Sequence, residues 1–142
     1  MSVKAILQSK GASVLSIRGD ASVAEAVAML AKHRIGALPV INGGAVLGIF
    51  SERDVIYCMA KEGAAALEHP VSEVMTTPAM TVDSDCAVLA ALSLMSRRRI
   101  RHLPVVDTEG LVGFISIGDL VKYRIEKIES EAEAMRSYIQ SA

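Results

Sequence analysis

Residues 34 to 56 read RIGALPVINGGAVLGIFSERDVI and residues 99 to 121 read RIRHLPVVDTEGLVGFISIGDLV, and the two stretches superimpose without a gap at an offset of 65. Eight of the 23 positions are identical: Arg34/Arg99, Ile35/Ile100, Leu38/Leu103, Pro39/Pro104, Val40/Val105, Gly48/Gly113, Ser51/Ser116 and Asp54/Asp119. Most other positions keep the apolar pattern, as in Val46/Leu111, Leu47/Val112, Ile49/Phe114 and Val55/Leu120. A unit of about 65 residues buries only about 60% of the surface its unfolded chain exposes, so one copy alone is marginal. The two copies are expected to share one core, and a ligand is expected between them, at sites related by pseudo-symmetry.

Composition bounds the rest. The chain has 142 residues, 51% of them hydrophobic, which is enough for one domain with a sizeable core. Aromatic residues make up only 4% and Trp is absent, so the core is aliphatic and a stacking surface for bases is nearly missing. A net charge of -1 gives no field that would gather polyanions, and nucleic acid is not an expected partner. No basic leader precedes an apolar run and no stretch approaches the ~18 apolar residues of a membrane span, so a cytoplasmic protein is expected, with no membrane partner. Cys58 and Cys86 form no CxxC or ligand-spaced cluster and read as reduced thiols.

Both copies carry the same order of elements. Ser22-Val23-Ala24-Glu25 fits a capping box, and Val23, Ala26, Val27 and Leu30 share one helical face, which predicts a helix from about 22 to 33. Its counterpart follows Asp85, with Val88, Leu92 and Met95 inward. Ala37 to Ile41, a turn at Asn42-Gly43-Gly44, and Val46 to Phe50 read as a β-hairpin, matched by Leu103 to Val106, Asp107 to Gly110, and Leu111 to Ser116. A second helix starts at Ser51 in one copy and at Ser116 in the other. The fold class is therefore mixed α/β (α+β): two pseudo-symmetric β-α-β-β-α repeats, joined by a polar, Ala-rich and Pro-containing stretch from Glu62 to Ser72.

The last helix does not stop where its counterpart does. Val121, Ile125, Ile128, Ala132, Met135 and Ile139 form a heptad-like seam with Lys, Arg and Glu outside it. Two readings stay open: an amphipathic helix lying on its own module, or a dimer contact.

Each hairpin ends in Gly-x-x-Ser-x-x-Asp, as Gly48, Ser51, Asp54 and Gly113, Ser116, Asp119. A lone Ser-x-x-Asp at a helix start is most often a plain cap, and duplication copies caps as faithfully as sites. The combination is nevertheless suited to a ribonucleotide. Free N–H groups at the helix start and a hydroxyl beside them take a phosphate, and a carboxylate three residues on can hold two ribose hydroxyls.

Basic residues cluster before each first hairpin strand. Lys32, Arg97 and Arg98 complement a helix C-terminus. Arg101 and His102 fall after the helix, where the first copy has Gly36 and Ala37. Arg53 stands where the second copy has Gly118. The two sites are therefore expected to be inequivalent, with the cationic groups gathered at the Asp54 cleft. No Ser-His-Asp set, Walker loop or metal-ligand spacing is present, and His33, His69 and His102 share no spacing, so neither an enzyme nor a metal cofactor is expected.

The repeated RI-x-x-LPV hairpin followed by G-h-x-S-x-x-D and a helix resembles the CBS domain, and two in tandem resemble a Bateman module. The likeness runs from about Ile6 to Arg124, and RIRHLPV and GFISIGDLVK look most like stand-alone bacterial CBS-pair proteins. It divides the chain into a first repeat, 1–65, a second, 66–124, and a C-terminal amphipathic helix, 125–142. The resemblance implies two clefts in which Asp54 with Ser51, and Asp119 with Ser116, hold ribose and phosphate. The adenine would lie against the opposite repeat: Ile35, Gly36 and Ala37 at the Asp119 cleft, and Ile100, Arg101 and His102 at the Asp54 cleft. Lys10 and Ala12, Met75 and Thr76, in the segments entering each repeat, complete the pockets, together with Arg53, Ile117 and Gly118. It further implies an adenosine nucleotide as ligand (AMP, ADP, ATP or NAD(H)), a homodimer, and a protein partner whose identity the residues do not give. The alternative is a structural or interaction protein with vestigial clefts that works through its C-terminal helix.

Overall fold

Ser22 and Ser51 fix where the first repeat turns helical in the computed structural model, which describes residues 1–11 and 13–141. Ser22 accepts the Glu25 amide and starts α2 (Val23–His33), and Ser51 closes a reciprocal capping box with Asp54 at the start of α3 (Glu52–Glu62). Between them lie β2 (Ala37–Asn42) and β3 (Ala45–Ser51), joined through Gly43, whose φ of 63° suits a residue without Cβ. The second repeat supplies α5 (Val88–Arg98), β4 (His102–Asp107), β5 (Gly110–Ser116) and α6 (Ile117–Ser141). Two short elements precede β2 and α2: α1 (Val3–Lys10) and β1 (Ile17–Arg18).

The symmetry extends to details. Both hairpins shift register at equivalent points, Val40/Ile41 and Val105/Val106. Both first helices end on an arginine in the left-handed region, Arg34 at φ 52° and Arg99 at φ 54°. A side chain there costs roughly 1–2 kcal/mol, so the turn is held by its surroundings. The opening strands differ: β1 pairs in parallel with β2 through Ile17 and Arg18, whereas the second repeat keeps a single bridge, Val82 to Val105.

The expected single core is instead two. In the first, Val23, Ala26 and Leu30 of α2 meet Leu38, Val40 and Phe50 of the hairpin. In the second, Val88, Ala91 and Met95 of α5 meet Leu103, Val105, Ile115 and Leu120. Full burial of each large side chain contributes about 1.5–3 kcal/mol. Each core is closed by the segment that leads into the other repeat. Val3 and Ile6 of α1 belong to the second core, and Ala66 and Val71 to the first. The Glu62–Ser72 connection is accordingly ordered, as a 3-10 turn (Gly63–Glu68) and α4 (Val71–Val74).

These crossings explain the glycine repeated in the strands. A Cβ on Gly48 would lie 2.5 Å from the Thr76 carbonyl oxygen, and one on Gly113 would run into the Leu7 side chain. Both entering segments therefore cross a strand close over a glycine, with backbone at Gly48 and with a side chain at Gly113.

The start of α6 packs on the module through Leu120 and Tyr123. Ile125 is 50% exposed, Ile128 49%, Met135 60% and Ile139 65%, so the seam does not lie on its own module.

Candidate functional site

The N-termini of α3 and α6 open on two clefts that share a wall. Equivalent hydrogen bonds set both: the Glu52 amide donates to the Gly36 carbonyl at 3.0 Å, and the Ile117 amide to the Arg101 carbonyl at 2.8 Å. The loop before each hairpin is thereby tied to the helix that follows it, and the two loops meet where the His102 ring lies beside Gly36.

The cleft on the α3 side has a volume of about 340 Å³ and is lined by Ser51, Glu52, Arg53, Ile49 and Thr76, with Arg99, Ile100, Arg101, His102, Ser116 and Ile117 from the second repeat and Gly36 at the edge. Asp54 lies below this floor, 8% exposed. Its Oδ2 accepts the Ser51 amide at 2.9 Å and the Ser51 hydroxyl at 3.2 Å, and its Oδ1 accepts the Thr76 hydroxyl at 2.9 Å. Met75 is not on the wall; it packs against the first core beside Gly48.

The cleft on the α6 side is larger, about 450 Å³, and is lined by Ile35, Gly36 and Ala37 with Arg34, by Ser116, Asp119, Gly113 and Phe114, by His102, and by the entering segment Leu7, Lys10, Gly11, Ser13, Val14 and Leu15. Asp119 is on this wall. It accepts the Ser116 amide at 2.9 Å and the Lys10 ammonium at 2.7 Å, and Lys10 also donates to the Phe114 carbonyl at 2.8 Å. Burial pushes the Asp119 carboxyl up, but the hydrogen bonds from Lys10 and Ser116 and the charge of Lys10 outweigh it and hold it below its ordinary value. Both volumes fall in the range of small-molecule sites.

His102 lines both clefts and stacks on Phe114, with ring centroids 5.4 Å apart and planes 11° apart. Burial, then the charges of Arg101 and Lys10, push its imidazole below the ordinary value, against Asp119 and Glu52.

Of the residues singled out in the sequence, Ser51, Arg53, Thr76, Ile100, Arg101, His102, Ser116 and Ile117 meet at one cleft, and Lys10, Ile35, Gly36, Ala37, His102, Ser116 and Asp119 at the other. Asp54, Met75 and Gly118 line neither, and Ala12 lies outside the described residues. Arg53 and Arg101 line only the α3-side cleft, whereas His102 lines both, and the entering segment and the left-handed arginine bring Lys10 and Arg34 to the α6 side. Arg34 and Arg99 are legible as identical positions in a repeat; Phe114 and Glu52 carry no such signal. Among the described residues no group of three or more His, Cys, Asp or Glu could hold a metal, and no helix is long and apolar enough to cross a membrane.

Two pseudo-symmetric α/β repeats sharing paired clefts define a tandem-repeat module, and the family model for the CBS domain matches residues 3–61 and 71–126. The chain belongs to the CBS-domain family. It is 40% identical to the CBS-domain-containing protein ATU1752 from Agrobacterium tumefaciens, whose crystal structure superimposes with a TM-score of 0.83 over 87% of this chain and 99% of that one. It is 34% identical to the CBS domain-containing protein CBSX3, mitochondrial, of Arabidopsis thaliana, over 95% of this chain and 70% of that one. The CBS domain pair of protein MJ0100, solved in complex with 5'-methylthioadenosine and S-adenosyl-L-methionine, is 27% identical with a TM-score of 0.75, over 89% of this chain and 98% of that one. The chain is a CBS-pair regulatory module.

Proposed function

We propose that the chain senses adenosine nucleotides, such as AMP, ADP, ATP or NAD(H), in its two clefts and passes their occupancy to a protein partner in the cytoplasm. One observation carries this reading: each cleft combines a serine at a helix N-terminus with an arginine of the opposite repeat, Ser51 with Arg99 and Ser116 with Arg34. Hydroxyl, helix-start amides and guanidinium together suit a phosphate. The adenosyl ligands of the MJ0100 complex support the adenosine half. A ligand held between the repeats shifts the module only by preferring one packing of the two over another, and a homodimer gives that shift a surface to act on.

Calorimetric titration with AMP, ADP, ATP, NAD(H) and S-adenosylmethionine, beside mass spectrometry of material extracted from the purified protein, tests the proposal. Micromolar binding of an adenosine compound, lost in Arg99→Ala or Arg34→Ala, is the expected result. Absence of binding by all of them would favour the interaction-protein reading, which the exposed apolar seam of α6 supports.

A further inference from the structure

We infer that the projecting part of α6 docks onto α6 of a second copy of this chain as a parallel, in-register coiled coil. Val121 is 42% exposed, and further along the seam Ile125, Ile128, Met135 and Ile139 are 49% to 65% exposed, with Ala132 half-buried between them. An isolated helical arm of this length is marginal in water and draws its stability from an apolar face that packs. The seam spacing assigns Ile125, Ala132 and Ile139 to heptad position a, and Val121, Ile128 and Met135 to d.

The flanking charges choose the occupant and its direction. Position g holds Arg124, Glu131 and Tyr138, and position e holds Lys122, Glu129 and Arg136. In a parallel pair each g residue faces the e residue five positions on in the other copy, so Arg124 meets Glu129 and Glu131 meets Arg136. Every such contact is attractive, and symmetry makes each twice. An antiparallel pair that keeps all six seam residues apposed instead sets Glu129 against Glu129, Glu131 against Glu131, and Lys122 near Arg136. The pattern is complementary to itself in one direction only. In the single chain Arg136 reaches Glu133, 2.9 Å away on its own helix, an exposed pair (68% and 70%) that is free to exchange partners.

Single-cysteine variants of the full chain in a Cys58→Ala, Cys86→Ser background test the arrangement. Met135→Cys, at a d position, brings two thiols together across a parallel pair and is expected to give a disulfide-linked dimer on mild oxidation. Ser137→Cys, on the outer face, is expected to stay unlinked. Failure of Met135→Cys to link, linking of Ser137→Cys to the same extent, or linking only between Met135→Cys and Ile125→Cys mixed together would each overturn the parallel coil. Sedimentation equilibrium supplies a second readout. Glu131→Arg is expected to weaken self-association on the order of tenfold, and adding Arg136→Glu to restore it. A monomeric wild type, or a Glu131→Arg variant that associates as the wild type does, contradicts the inference.

Discussion

Lys10 Nζ lies 2.7 Å from Asp119 Oδ2, a contact between positions 109 residues apart, while Asp54 receives a hydroxyl from Thr76 instead. The repeat offset places Met75 where Lys10 stands and Thr76 where Gly11 stands. One motif acid is thus paired to a cation at a cleft wall and the other sealed beneath a cleft floor by neutral donors. Duplicated sequence has produced two acids with different duties.

Asp54→Ala should therefore cost the fold more than Asp119→Ala. Removing the buried carboxylate strands the Ser51 amide and the Thr76 hydroxyl, a loss of about 2–3 kcal/mol. Asp119→Ala removes a cap and a partly exposed ion pair, about 1 kcal/mol, but takes a polar group off the wall and should weaken nucleotide binding at its cleft about 10- to 100-fold. Thermal unfolding and calorimetric titration of both variants check the contrast. Equal losses of stability, with no loss of binding in Asp119→Ala, would show both acids to be plain helix caps.

Acid unfolding gives a related test. The folded Asp119 carboxyl is held below its ordinary value, so its contribution is present above the unfolded carboxylate range and is lost as pH falls through the lowered folded value. Asp119→Asn should flatten the acid limb of the stability curve, measured as urea midpoints at successive pH values. Lys10→Met, which copies the residue at the equivalent position, should flatten it as well.

The strand glycines predict an asymmetry of their own. Gly48→Ala drives a methyl against a backbone carbonyl and against Met75 Sδ, 2.9 Å away, and should cost about 2–3 kcal/mol with a shift of the Thr76 segment. Gly113→Ala meets only the Leu7 side chain, which can turn aside, and should cost less. Urea denaturation midpoints compare them directly.

The hairpins and the starts of α2, α3 and α6 are legible because local rules set them: period-two strands, an Asn-Gly turn in the first copy, serine caps and repetition without a gap. The crossing of α1 and α4 is not. Apolar spacing in Val3, Ile6 and Val71 says that a face is buried but not against which copy, and one shared core is the simpler inference until the chain path is known. The unlike settings of Asp54 and Asp119 escape the sequence for a similar reason. They depend on Thr76, 22 residues away, and on Lys10, 109 residues away, while the local Ser-x-x-Asp is identical in both copies. The exposure of the α6 seam is a matter the spacing leaves open, since the same heptad face suits a neighbour in the chain or one outside it.

His102 should make nucleotide binding at either cleft pH-dependent. The groups facing it are Arg101, Lys10, Asp119 and Glu52, and burial with the two cations keeps it neutral near pH 7. Because its folded value is lowered, the unfolded chain binds the extra proton first, and the stability it contributes is lost as pH falls through the folded value. A phosphate in either cleft adds negative charge beside the ring and raises its pKa again. Nucleotide affinity should then rise as pH falls toward 6, with proton uptake on binding that shows as a buffer-dependent enthalpy. His102→Gln should reduce both effects to what the terminal phosphate's own ionisation, with a pKa of about 6, produces, while leaving binding above pH 8 nearly unchanged; a wild type whose proton uptake on binding equals that of His102→Gln refutes the role.

The charge around the clefts predicts their preferences. Arg53, Arg99 and Arg101 stand against Glu52 at the α3 side, whereas Lys10 and Arg34 stand against Asp119 at the α6 side, with Lys10 already spent on that carboxylate. The α3-side cleft should accordingly favour the more anionic ligand, ATP over AMP. Its affinity should fall more steeply with salt, since charge-assisted contacts at an open cleft are screened over about 10 Å at 0.1 M. The α6-side cleft has the larger volume, about 450 Å³ against about 340 Å³, and room for a bulkier or less charged group such as the far half of a dinucleotide. Competition titrations of AMP, ATP and NAD against Arg53→Gly and Arg101→Gly separate the sites. Each substitution should lower ATP affinity at the α3 side about 10- to 100-fold and leave the other cleft unchanged. Two wild-type sites with one ligand preference and one salt slope would mean that the guanidiniums at the α3 side do not reach the phosphates.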